Sequence, residues 1–498
     1  MAIAFQTIPQ NLRVPLFYAE MDASQAGYFS QAKRTLLIGQ KLAAGSAATG
    51  TPLLVSRSDN AITLFGKGSM LARMHAMYRQ VDPFGEVWCI ALADNGAGVA
   101  ATGTITVTGP ASAAGGISLY IAGQLVSVAV ANGDAASTIA TAINAAINAA
   151  TDLPVTSTVA TNVVTLTCRW KGVTGNDITV LDSYRGASGS EALPAGVALA
   201  YVAMASGTNN PVISAGITAM GDDEYDYIIH PYSDTANMAL LATELNDTAG
   251  RWSYARQIYG HAYTAIRGSL ATLQTFGSGL NDQHNTCAAI DVDTPNPMWE
   301  YAAVYGGRNA VFLNADSARP TQSGELTGIL PPRAGKRFIF TERQTLLNNG
   351  LATSFFSGGT LKVERAITTY QKNAFGQADP SYLDSETMHL NTTVLRRFRS
   401  IVTTKYPRHK LADDGTRFGA GQAIVTPSVI RGELISEYGK MELEGLVENS
   451  ALFAKYLIVE RNATNPSRCD VLLPPDLVNG LRVFAVLNQF RNQYAANA

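Results

Sequence analysis

Cysteine is scarce: the 498 residues hold only four, Cys89, Cys168, Cys287 and Cys469, far apart and with no CxxC pair. That spacing indicates neither a zinc module nor a disulfide framework, and a reducing compartment is the simpler reading. Charge is low as well, at 15% of residues with a formal net charge of -2. A general nucleic-acid binder needs a positive surface to displace counterions, so that class is disfavoured. No apolar run approaches the roughly 20 residues that span a bilayer. The N-terminal stretch Met1–Pro9 lacks the basic region and apolar core of a signal peptide. There is no internal repeat and no G-x-S-x-G nucleophile elbow. Residues Gly66-Lys67-Gly68-Ser69 invite a phosphate-loop reading, but Ala61 stands where the Walker pattern needs its first glycine. Glycines shaping a loop before a helix are the better reading.

What is present is a large apolar fraction, 46% of residues, in a chain long enough for more than one domain. Its organising stretch is Tyr225–Leu245. Tyr225–Ile229 reads as a buried central strand and Pro231 stops it, having no N–H to give a ladder. Ser233 or Asp234 offers a helix cap, and Met238, Leu241 and Leu245 form one apolar stripe. Strand, short loop and capped helix make half of a βαβ unit, which implies an α/β domain with a parallel sheet.

The pattern runs through the chain in blocks. Residues 1–25 read as an apolar, proline-punctuated arm. Residues 26–93 and 211–335 form a discontinuous α/β core. Within it, Thr35–Ile38, Pro52–Val55 and Val87–Leu92 are strands, and Met70, Met74, Met77 and Val81 mark a helix. Further on, Gln257–Tyr259 is expected as strand, 262–276 as helix ended by Gly277, Thr286–Ile290 as strand and 297–311 as helix. Residues 94–210, rich in Gly, Ala, Thr and Val, read as an inserted mostly-β domain. It contains hairpins at 119–130 and 155–167 and a helix with Ile139, Ile143 and Ile147 on one line. Residues 336–480 read as an α+β domain. There Leu361, Val363 and 366–368 are expected in a half-exposed strand, Met388, Leu395, Phe398 and Val402 in a helix, and Thr426-Pro427 at a helix start. A strand is expected at 456–460. Residues 481–498 are a terminal strand and arm, with Leu481–Phe490 the strand.

Catalytic chemistry finds little support. On a strand, Asp226 and His230 share a face but lie roughly 13 Å apart at ~3.3 Å per residue, too far for a hydrogen bond. The histidines and cysteines have no ligand spacing, so no catalytic, cofactor or metal residues are assigned. The densest charged run, Lys405–Gly415, is basic in its first half and acidic in its second. Lys405, Arg408, Lys410, Asp413 and Asp414 make it a candidate protein–protein contact loop, with a plain solvated loop equally open.

Several stretches carry a resemblance: Ile8-Pro9 with 11–15, the run 258–265, 367–371, the charged run 405–415, and Leu473-Pro474-Pro475-Asp476-Leu477-Val478-Asn479. Across nearly the whole length the sequence resembles the contractile tail sheath proteins of Mu-like phages. The resemblance implies a core domain of subtilisin-like fold without the protease's catalytic residues. It also implies a non-enzymatic structural subunit in hexameric rings, stacked helically around a tail tube, that contracts to drive the tube through the host envelope. The implied partners are other copies of the chain, the tail tube protein, and baseplate and tail terminator proteins, with no direct nucleic acid, no membrane insertion and no cofactor. The implied location is the virion, after assembly in the bacterial cytoplasm. On this reading 336–480 lies near the tube and 94–210 on the outside. The terminal arms add strands to neighbouring subunits through Leu12, Val14, Leu16, Phe17, Leu481, Val483, Phe484, Val486 and Leu487. The alternatives are an enzyme on a subtilisin-like fold and a surface adhesin.

Overall fold

The computed structural model describes residues 13–15, 17–19 and 33–493, and the chain divides into two units, Met1–Lys33 and Arg34–Ala498. In the second unit, six strands form a central sheet. Their order is Asn285–Ile290, His261–Arg267, Tyr227–Ile229, Thr35–Gln40, Val87–Leu92, Pro52–Leu54. The first five are parallel, and Pro52–Leu54 runs antiparallel against Val87–Leu92. Side chains alternate between two cores, as strand geometry requires. Leu36 and Ile38 join Tyr225, Ile228, Leu241 and Leu245 on one face. Leu37 joins Met74, Tyr78, Tyr227, Ile229 and Tyr263 on the other. The organising stretch is therefore a central strand, and its helix, Thr235–Leu245, is capped by Asp234, which accepts the Asn237 N–H at 3.0 Å.

Two helices, Met70–Val81 and Met298–Ala315, lie against each other on one face of the sheet. Gly306 and Gly307 make this close approach possible. A Cβ on Gly306 would stand 2.7 Å from the Ile229 side chain, and one on Gly307 2.7 Å from Val81. Both edges of the sheet are occupied or blunted. One is the three-residue strand Pro52–Leu54, whose proline donates nothing. Along the other, Ala352 exchanges hydrogen bonds with Cys287 O and Ala289 N–H at 2.9 and 2.8 Å.

Between Val87–Leu92 and the helix Ser214–Met220 the chain leaves the sheet and builds two smaller ones. The first orders Ala198–Ala205, Ala100–Thr108, Val163–Lys171, Val155–Ala160; the second Gln124–Val130, Gly115–Ile121, Val180–Asp182. The helix Ala136–Ala149 seals them with Ile139, Ile143 and Ile147, all buried. This β-rich part shares its core with the central sheet. Trp170 meets Trp299 edge-on at 5.2 Å, and Arg267 grips Asp177 at 2.6 Å.

Some local expectations fail. His261–Arg267 is a strand, and the helix that follows is Leu270–Ser278, with Gly277 inside it. Tyr263, Thr264 and Ile266 favour a pleated surface, and the position inside the sheet, with partners on both sides, decides. Gln257 and Tyr259 both have φ of 51°, so 257–259 forms no strand. The strand Thr360–Arg365 stops before 366–368; within it Leu361 and Val363 form the buried face and alternate with partly exposed neighbours.

Candidate functional site

The enzyme-like residues are committed to structure. His230 is fully buried, and burial lowers its pKa to about 4, so it is neutral at pH 7. Asp226 faces a different partner altogether: it receives the Arg396 guanidinium and the Arg34 N–H. His75 and His261 are likewise buried, with pKa values lowered by desolvation to about 4 and about 3. In the glycine loop, Ser69 caps the 70–81 helix by accepting the Ala72 N–H at 3.1 Å. Gly68 lies against the carbonyls of Thr151 and Leu153, oxygens that repel a phosphate. Among the described residues no group of three or more His, Cys, Asp or Glu is placed to hold a metal ion. No helix among them is long and apolar enough to cross a membrane.

The C-terminal part has its own core. It forms between the helices Ser385–Lys405, Pro427–Leu443 and Ser450–Tyr456. The buried line on the first helix is Leu390, Val394, Phe398 and Ile401, while Leu395 and Val402 are exposed, contrary to the expected stripe. On the polar stretch of this helix, the Thr392 and Thr393 hydroxyls donate to the carbonyls of Met388 and His389, both at 3.0 Å. Tyr438 stacks on Phe453 at 3.8 Å, and its hydroxyl donates to Glu448 O and accepts from the Asp476 N–H. The 385–405 helix is fastened to the central sheet at two points. His389 meets the Tyr263 hydroxyl at 3.0 Å, and Arg396 reaches Glu224 at 2.9 Å as well as Asp226.

The charged run is largely spent within the chain. Lys405 pairs with Glu433 at 2.6 Å, Lys410 donates to Gln422, and Asp413 pairs with Arg461 at 3.1 Å. Asp414 accepts from the Ser428 hydroxyl and N–H, which hold its carboxyl below the usual range and cap the 427–443 helix. Thr426 is the N-cap by position, yet its side chain makes no cap bond. Arg408 is exposed.

Beyond this core the ladders are incomplete. Val447–Glu448 pairs with Asp476–Leu477, and Ile458–Arg461 with Cys469–Leu472, each a two-stranded sheet among the described residues. The expected strand at 456–460 thus begins at Ile458. Two strands alone are marginal in water, and Ile458, Val471 and Leu472 are exposed. The expected terminal strand is absent: Leu481–Phe490 has no ladder partner among the described residues. Leu481, Val483, Phe484, Val486 and Leu487 are 68–88% exposed. In the first unit Val14 and Phe17 are also exposed, and Leu12 and Leu16 lie outside the described residues. The structure thus presents the described interface candidates as uncovered apolar side chains. It also brings together groups that no local pattern could reveal, since Arg396 and Asp226 are 170 positions apart.

Three family models match the chain. The phage tail sheath protein central domain covers residues 206–369, the phage tail sheath C-terminal domain 377–491, and the phage tail sheath protein beta-sandwich domain 96–198. A Mu-like prophage tail sheath protein of Haemophilus influenzae is 41% identical over 493 residues, 98% of this chain and 100% of that protein. Among solved structures, a sheath tail protein of Desulfitobacterium hafniense aligns with a TM-score of 0.50 at 11% identity, over 94% of this chain and 97% of that one. A sheath tail protein of Listeria innocua aligns at 0.48 and 12%, over 92% and 94%.

Proposed function

The chain belongs to the phage tail sheath family, and from that premise we propose that it polymerises by strand donation into a contractile sheath. It is a structural subunit of the virion. Stacked hexameric rings around a tail tube, contraction against the host envelope, and contacts with tube, baseplate and terminator proteins are the finer reading. So are assembly in the bacterial cytoplasm, a subtilisin-like arrangement of the core, a tube-proximal 336–480 and an outward 94–210. The five-stranded parallel run with helices on both faces is compatible with such a core.

The observation that carries the reading is the bare apolar stretch Leu481–Phe490 beside two-stranded ladders that lack further partners. An uncovered apolar segment is a liability in a monomer and an asset as a donated strand. About five backbone hydrogen bonds at a net ~1 kcal/mol each would contribute on the order of 5 kcal/mol per junction. A head-to-tail contact of this kind, repeated without closure, makes a filament.

The test removes everything after Gly480. The expected result is a monomer with unchanged circular dichroism that forms no tubes by negative-stain microscopy. Tubes of ordinary length from the truncated protein would refute strand donation. A sheath subunit on this reading also lacks hydrolase activity. A fluorophosphonate probe should label nothing, and robust labelling removed by one serine substitution would overturn that.

A further inference from the structure

Arg482 sits where the chain changes character. Before it, the tail segment clings to its own subunit. Asp476–Leu477 pairs with Val447–Glu448, the Val478 N–H donates to Leu446 O, and Gly480 lies so close to Pro320 that a Cβ would meet the ring at 2.6 Å. After it, every described residue is exposed. Arg482 itself is 14% exposed along its side chain, with Nη2 2.9 Å from Glu386 and 3.6 Å from Asp384. Its Nη1 also approaches the Gln322 amide oxygen at 3.4 Å, and the Gln322 amide donates to Leu481 O at 3.3 Å.

The receiving carboxylates are held before Arg482 arrives. Glu386, 7% exposed, accepts the Thr321 N–H and hydroxyl at 3.0 and 2.8 Å. Asp384 is gripped by both arms of Arg365 at 2.8 and 2.9 Å. A guanidinium entering a prepared, mostly dry pair of carboxylates loses little on ordering. The exposed pair Arg468–Asp470, with side chains 64% and 31% exposed, has no such setting. Glu386 lies in the first turn of the 385–405 helix, the helix that His389 and Arg396 fasten to the central sheet.

We propose that Arg482 is a positioning residue, a clip that fixes where and in which direction the terminal strand leaves its subunit. The proposal rests on the donated-strand reading above. It divides the C-terminus into a tethered stalk, 473–482, and a donated strand, Val483–Phe490. With the clip closed, that strand fully extended reaches about 28 Å, so the acceptor edge on the neighbour lies within that distance of the Arg482 backbone. Tension on the strand is delivered through Arg482 to the 385–405 helix, and so to the central sheet.

The experiment uses the full chain, Arg482→Gln, Arg482→Lys and a chain ending at Arg482. In unassembled protein, amide hydrogen exchange should rise about tenfold at 478–482 in Arg482→Gln, with exchange in the 261–267 strand and the melting midpoint unchanged. The concentration at which tubes form should rise about tenfold, and Arg482→Lys should recover part of it. Unchanged exchange at 478–482 overturns the clip even if assembly is lost, because Arg482 would then be a contact with the neighbour. Exchange that spreads into the 261–267 strand overturns it in favour of a general structural role. Assembly by the chain ending at Arg482 would instead sink strand donation, while the exchange result still judges the tether.

Discussion

Tyr227–Ile229 and Leu481–Phe490 are both apolar runs with strong β preference, and their fates are opposite. The first is a fully buried strand with parallel partners on both sides. The second has no partner and is exposed from Val483 to Phe490. The difference lies in what each meets: three residues suffice where Thr35–Gln40 and His261–Arg267 wait on either side. Strand propensity measures fit to a pleated surface, so a run without such a surface stays unpaired. One region is already satisfied, and the other is apolar material left uncovered.

Charge placed in each region should separate the two most sharply. Ile229→Asp buries an unpaired carboxylate in the core that Leu37, Tyr227 and Tyr263 share and should cost about 4 kcal/mol or more, leaving little soluble, cooperatively melting protein. Val486→Asp should leave the monomer's melting curve unchanged and abolish tubes in the microscope. If Val486→Asp destabilised the monomer as strongly, the terminal stretch would be packed on its own subunit and the contrast would collapse.

Acid should act next, and on the core alone. His75, His230 and His261 have folded pKa values lowered to about 4, 4 and 3 by burial, below an unfolded value near 6.5. The unfolded chain therefore binds more protons in that window, so their contribution is complete above pH 6.5 and is lost as pH falls toward 4. The slope is up to about 1.4 kcal/mol per pH unit for each group. Melting midpoints between pH 7 and 4.5 should show this fall, and His230→Gln should flatten it. Residues 483–490 carry no ionisable side chain, so the free stretch has no matching transition.

The smallest effect is a cap. Ser69→Ala removes the acceptor for the Ala72 N–H and should lower stability by about 1 kcal/mol. The concentration at which tubes form should not change. A shift in that concentration would mean that mild lesions in the satisfied region reach the donated one.

The parts of the fold legible in the sequence are those decided over short range. The helix cap at 233–234, the 70–81 helix and the hairpin at 119–130 follow from spacing, capping and turn residues a few positions apart. The 261–267 strand was illegible because its alanines are neutral until the sheet supplies neighbours. The positive φ at Gln257 and Tyr259 has no glycine or asparagine to announce it. In the candidate site, the apolar terminal residues were visible as composition, whereas their lack of a ladder was not. The charged run reads equally as a contact loop or a solvated loop in the sequence, because Glu433, Gln422, Arg461 and Ser428, which pair with it, come later in the chain. The groove for Arg482 is built from residues around 320 and 385 and leaves no local trace.

The treatment of the central sheet's edges has a consequence for addressing. On the strand-donation proposal, many copies of this chain together present many loose apolar strands and many parallel sheets, and a loose strand docks on whatever ladder is open. Pro52 at one margin and Ala352 at the other leave the large sheet few open rungs among the described residues. The small C-terminal ladders are two-stranded, so on the proposed donation a wandering strand is turned from the large sheet toward them, its destination set by having the wrong doors shut.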